Sequence, residues 1–184
     1  MTDSVTTSMM MFDTTVPCVL STHQSVGYRI SVESISQVVE RFDHVVGINS
    51  SHADIGYLTA IIDAVGSKVD VHVGGPLQAL TALALGANGF LTSEANLAPR
   101  LCASVIAAYE QGAGDELFFA FGRLARLSMA LYGHGGIRAT KAVLNRLGLP
   151  GGFPRPPLLP VAEATVDELM TAIDDLGLAD LEGW

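Results

Sequence analysis

The sequence predicts an α/β fold in which parallel β/α units are followed by an all-helical part, and three observations predict it. Short β-branched runs alternate with segments of helical periodicity through the first hundred residues, the rhythm of β/α units with crossover helices. After Asn96 the strand-like runs stop and amphipathic helical patterns take over. The chain is 49% hydrophobic and only 16% charged, the balance of a buried core and the opposite of a disordered polypeptide.

The elements follow in order. Residues 16–22 (VPCVLST) read as a strand with Pro17 near its start, where a missing N–H is tolerated. Ile35, Val38, Val39 and Phe42 then recur at helical spacing behind Ser31, a capping residue. Residues 44–48 (HVVGI) form the next strand. Leu58, Ile61, Ile62 and Val65 mark a helix that Gly66 stops. Residues 69–73 (VDVHV) are a third strand, residues 77–85 a helix apolar nearly all round and hence buried, and residues 89–92 (GFLT) a fourth strand. Each strand is short enough to be covered on both faces.

Beyond these units Pro99 opens a helix carrying Leu101, Val105 and Tyr109. A long helix over residues 115–131 presents Leu117, Phe118, Phe121, Leu124, Leu127 and Leu131. Another spans about residues 138–147 and ends at Gly148. Residues 150–160 (PGGFPRPPLLP) hold too much Pro and Gly for a regular element. They are expected to form a packed strap, because Phe153, Leu158 and Leu159 have apolar surface to bury. Thr165 and Glu168 stand at capping-box spacing before the last helix, which runs to about Leu176. The expected organisation is an N-terminal segment 1–15, a β/α part 16–98 and a helical region 99–184 containing the strap.

Composition narrows the function classes. A net charge of −9 without a basic run lacks the footprint of a nucleic-acid binder. Two cysteines, Cys18 and Cys102, are too few for a disulfide scaffold and have no metal spacing; they fit two buried thiols in a reducing compartment. The stretch 71–93 lacks Asp, Glu, Lys and Arg, but Gly74-Gly75-Pro76 and Gly86-Ala87-Asn88-Gly89 break it into strand, turn and helix, so a membrane span is not expected. The first residues lack the basic start and apolar run of a secretory signal, and the expected location is cytoplasmic.

The motifs Val45-Val46-Gly47-Ile48, residues 80–89 (LTALALGANG), Leu91-Thr92-Ser93-Glu94-Ala95-Asn96 with Pro99, and residues 147–160 (LGLPGGFPRPPLLP) have a specific resemblance. Together they resemble the C-terminal half of the dihydrodipicolinate synthase/N-acetylneuraminate lyase family, over about residues 16–178. The resemblance implies half of a (β/α)8 barrel, strands five to eight, followed by the family's helical extension. It also implies a lyase or aldolase ancestry, in which a Schiff-base lysine attacks the keto carbon of pyruvate or another 2-oxo acid.

At the positions that matter for that chemistry the chain departs from the family. The Gly-Ile-Lys motif reads Gly47-Ile48-Asn49, and an amide, whose nitrogen lone pair is delocalised, forms no imine. The proton-relaying tyrosine falls at Ser21, in Ser21-Thr22-His23-Gln24, and the basic residue that binds a substrate carboxylate falls near Val26. The seventh strand's Gly-Asp becomes Gly74-Gly75. Ser21 and Asn49 are therefore expected to be vestigial, with Gly74 and Leu91 as substrate-binding positions, and no cofactor is expected.

Other constellations compete with simpler readings. His23, His52 and His72 fall at strand ends, on the face where barrel active sites lie, and with Glu94 they are candidate metal ligands. Strand ends are polar in any case, and if Asn49 and Ser51 point inward, parity turns His52 away. Lys141 on a C-terminal helix reads as structural, and Asp54 and Asp63 as caps or solvated groups. Ser21 has no base partner except His23, and Gly74-Gly75-Pro76 lacks a phosphate-loop fingerprint.

A barrel of this kind needs roughly 250 residues, and four strands leave two sheet edges and an apolar inner face uncovered. The expected partner is a second copy or a complementary N-terminal-half chain, with a 2-oxo acid as the possible ligand.

Overall fold

The computed structural model describes residues 16–27 and 29–184, and the side chain of Val26 and the N-terminal segment 1–15 lie outside the described residues. The chain divides into two compact units, Met1–Leu91 and Thr92–Trp184.

In the first unit the strands β1 (Cys18–His23), β2 (Val45–Ser51), β3 (Asp70–Gly74) and β4 (Gly89–Leu91) form one sheet in the order β1-β2-β3-β4, every pairing parallel. Parallel neighbours need crossover connections, and these are α1 (Val32–Arg41), α2 (Ile55–Val65) and a 3-10 turn at Pro76–Gln78 running into α3 (Ala79–Ala84). Two of the helices start at side-chain caps. Ser31 Oγ accepts from the Ser34 N–H at 3.1 Å, and Asp54 Oδ1 accepts from the Tyr57 N–H at 3.0 Å.

Alternation along the strands sorts the sheet into two faces. Ile48, Val71 and Val73 are fully buried and pack with Ile35, Leu58 and Ile61 of the helices, with Leu20 and Phe90 against the same core. Ser21, Asn49, His72 and Leu91 alternate with them and so belong to the opposite face. That face is more polar than the expected apolar inner surface; its exposed hydrophobics include Val19 and Leu91. A register shift after Cys18 makes Val46 the additional residue of β2.

The second unit begins with a 3-10 turn at Ser93–Asn96. It continues through α4 (Pro99–Glu110), α5 (Gly114–Gly133), α6 (Ile137–Arg146), α7 (Glu163–Asp175) and α8 (Leu178–Glu182). Leu101, Leu124, Leu127, Leu131, Leu169, Ile173 and Leu178 fill its core. Pro99 occupies the first turn of α4. No side chain of the preceding residue caps this helix. Instead Glu182 reaches back, accepting from the Arg100 N–H at 3.0 Å and the Leu101 N–H at 2.8 Å. These are two of the donors that a helix start leaves without an intrahelical partner. Burial, reinforced by the negative charges of Glu94 and Glu182, pushes the Cys102 thiol up to about 12. Cys18 is only partly buried, not a second core thiol.

Four local expectations are corrected. The helix expected at 77–85 is shortened to α3, and Leu77 is exposed in the preceding 3-10 turn. On α5 the buried stripe runs through Ala120, Leu124, Leu127 and Leu131, which leaves Phe118 on the outside at 66% exposure. α7 starts at Glu163 rather than at a Thr165 cap, and Arg146 of α6 pairs with both Glu163 and Asp167 across that first turn. The strap does not bury its apolar residues, since Phe153, Leu158 and Leu159 are all exposed. Polar contacts hold it instead. Lys141 Nζ donates to the Gly151 carbonyl at 2.7 Å, and Asn145 both donates to the Gly152 carbonyl and accepts from the Gly152 N–H, each at 2.9 Å. Lys141 is thereby a structural anchor. Among the described residues, no helix is long and apolar enough to cross a membrane.

Candidate functional site

The C-terminal ends of parallel strands gather side chains from several β/α units at one place. Here one row across the sheet is Ser21, Asn49, His72 and Gly89, which are register neighbours. Nearer the strand ends His23 pairs with Ser51, and Gly74 with Leu91.

Asn49 is the hub of this face. Its Nδ2 donates to Ser21 Oγ at 3.1 Å and to Ser51 Oγ at 3.2 Å, while its buried Oδ1 has no hydrogen-bond partner among the described residues. Gly74 closes the group from the next strand. A Cβ there would fall 1.8 Å from Ser51 Oγ, so this close approach requires a glycine. The Gly75 N–H donates to the Leu91 carbonyl at 2.7 Å and is committed to the backbone rather than to an anion. Leu91 contributes an exposed side chain at the sheet edge.

The three strand-end histidines have different surroundings. His23 Nδ1 accepts from the Ser25 N–H at 3.1 Å and lies 2.7 Å from Ser25 Oγ, so its serine neighbour is Ser25 and not Ser21. His72 stands beside Asn49 in register. His52 turns to the helix-covered side, as strand parity requires, where its Nε2 is 3.0 Å from Thr22 Oγ1 and its ring meets Tyr57 edge-on at 5.4 Å. Burial first, and then the electrostatic influence of Arg29 and His23, hold the His52 imidazole below its ordinary pKa. Among the described residues no group of three His, Cys, Asp or Glu side chains could hold a metal ion.

Contacts from Tyr57 and Asp54 hold the loop between β1 and α1. Tyr57 Oη donates to the Ile30 carbonyl at 2.6 Å. Arg29 lies over the Tyr57 ring at 4.6 Å and pairs with Asp54 at 2.8 Å. The Tyr57 N–H and then the Arg29 guanidinium keep the Asp54 carboxyl below the usual carboxylate range. Within the second unit, buried Glu94 accepts from Thr92 Oγ1 and Ser93 Oγ. Sequence reasoning missed the Tyr57–Arg29 bracket and the Ser25–His23 contact; the Asp54 cap was the one local signal near them.

Chemically, the face offers hydroxyls, one primary amide and imidazoles. Among the described residues it contains no amine, and a primary amide is not a nucleophile toward a ketone. The surface grooves of about 360 and 300 Å3 around Val45, Lys68 and Val69 lie at the other end of the strands, away from these groups.

Comparison with solved structures places the fold. The chain superposes on a dihydrodipicolinate synthase of Bacillus anthracis with a TM-score of 0.83, 24% identity and coverage of 91% of this chain and 57% of that one. A prophage protein of the dihydrodipicolinic acid synthase family from E. coli K12, solved in complex with pyruvate, gives 0.83 at 18% identity, covering 97% and 63%. These likenesses define the class: part of a (β/α)8 barrel with a C-terminal helical unit. The chain belongs to the Dihydrodipicolinate synthetase family, whose profile matches residues 10–176. Curated relatives include the 4-hydroxy-tetrahydrodipicolinate synthase of Acidiphilium cryptum strain JF-5, 30% identical over 81% of this chain and 51% of that protein. That of Geotalea uraniireducens strain Rf4 is 26% identical over 83% and 52%. The chain spans about half the length of the curated relatives it matches.

Proposed function

We propose that this chain is a degenerate member of its family that forms no Schiff base by itself and works as a half-barrel subunit in the cytoplasm. The observation that carries this is Asn49, which stands where the family resemblance calls for the nucleophilic lysine and is bridged to Ser21 and Ser51. An imine needs a free amine held neutral, and no lysine is present in the β1 or β2 segment, 18–51. The sheet ends at β1 and β4 supply the surface for completion, by a second copy or by a chain carrying the first four β/α units.

A second reading has the chain complete a carbon–carbon lyase acting on pyruvate or another 2-oxo acid, the partner supplying the nucleophile. The pyruvate complex of the E. coli K12 family member favours that substrate class. Borohydride reduction in the presence of pyruvate, read by intact mass, tests the assignment. The expected result is no adduct on this chain; an adduct of pyruvate mass on it would sink the proposal.

A further inference from the structure

We infer that Ser21 and Ser51, oriented by Asn49, form a reversible, noncovalent binding site for a small carboxylate. This rests on the reading that the Asn49 face is the site of the chain and forms no imine. Asn49 gives one N–H of its amide to each serine oxygen. Each hydroxyl has therefore accepted one bond and keeps its proton to donate, and neither hydroxyl donates to any described residue. An N–H donated into a hydroxyl oxygen polarises the O–H and strengthens it as a donor.

Both donors are tied to the same nitrogen, at 3.1 and 3.2 Å, so they stand close together across adjacent strands. Two neighbouring O–H donors match the two oxygens of a carboxylate, an acceptor-only group that takes charge-assisted hydrogen bonds. Gly74 is part of the device, since any side chain there would displace Ser51. Asn49 is thus a positioning residue that sets which way two hydroxyl protons point.

The test is a titration of the isotopically labelled full chain with sodium acetate, against sodium chloride at equal ionic strength, followed by amide NMR. The expected result is a saturable shift of the Asn49 side-chain amide and of the backbone amides of residues 21 and 51. Ser21→Ala and Ser51→Ala should each weaken acetate binding by about tenfold, the scale of one hydrogen bond to a charged group. Ser21→Thr, which keeps the hydroxyl, should restore it. Asn49→Asp removes both N–H donors and adds a negative charge beside the two serines. A carboxylate there accepts from both serines and turns their protons inward, so acetate binding is lost while the rest of the spectrum is kept. An acetate response that is absent, or unchanged in Ser21→Ala and Asn49→Asp, overturns the inference and leaves the borohydride result standing. A pyruvate adduct overturns the reading on which it rests.

Discussion

Gly74 is the residue whose replacement has the most direct steric consequence. The Cβ of an alanine would lie 1.8 Å from Ser51 Oγ and 2.6 Å from Ser51 Cβ, too close for a hydroxyl rotation alone to relieve. Gly74→Ala is expected to destabilise the chain by about 1–3 kcal/mol, the range of overpacked sites, and the added change Ser51→Gly should recover most of it. Denaturant unfolding of the single and double variants checks this. His52 gives a pH prediction. Its folded pKa lies below the ordinary imidazole value of about 6.5, so between the two the unfolded chain binds more protons. The stabilisation is therefore complete above about 6.5 and is lost as pH falls toward and through the folded pKa. Melting temperatures from pH 7.5 to 5 should fall more steeply for the wild type than for His52→Gln. Parallel slopes would show that His52 does not carry the effect.

At the scale of elements, the strap over residues 150–160 is held by a clamp of backbone-directed polar groups. Asn145 makes two of its bonds, so Asn145→Ala should cost about 1 kcal/mol, as expected for exposed hydrogen bonds. It should also speed limited proteolysis within the strap relative to the helices; unchanged cleavage would show that Lys141, together with Arg138 Nη1 donating to the Leu159 carbonyl at 3.3 Å, suffices. This clamp marks where sequence stopped being legible. Ser31, Asp54 and Pro99 could be read as helix starts because the chemistry that stops or starts a helix is local. Strand parity likewise separated His52 from Asn49 and Ser51 without knowledge of any neighbour. Thr165 misled because the pairing of Arg146 with Glu163 and Asp167 joins residues distant along the chain. Phe153 and Leu159 misled because hydrophobicity predicts a wish for burial, not the presence of a surface to meet it. In the site, residue types were legible and their bonding was not. Nothing in the run from Ser21 to Ser51 announces that one amide will bridge two serines.

For the whole chain, two facts stand together: it spans about half the length of the curated relatives it matches, and among the described residues its sheet runs from β1 to β4. A parallel sheet is normally closed or covered, and unpaired strand edges favour association. The half-barrel proposal therefore expects a concentration-dependent mass in light scattering. Dye binding to exposed apolar surface should fall when a chain carrying the first four β/α units is added. A folded monomer at low concentration, unaffected by such a partner, would defeat it. Family membership and fold class were readable from the motifs around Gly47, residues 80–89 and Pro99, because scaffold turns leave short, specific signatures.

Cys102 gives the helical unit a built-in clock. Its thiol is buried and pushed up to about 12, whereas Cys18 is only partly covered, so an alkylating reagent at neutral pH distinguishes the two. Cys18 should react promptly. Modification of Cys102 should wait for the unit around α4 to open, and in reagent excess its rate then counts openings rather than collisions. A slowly rising second label would report how often the molecule breathes, and adding a partner chain would show whether assembly quiets that motion.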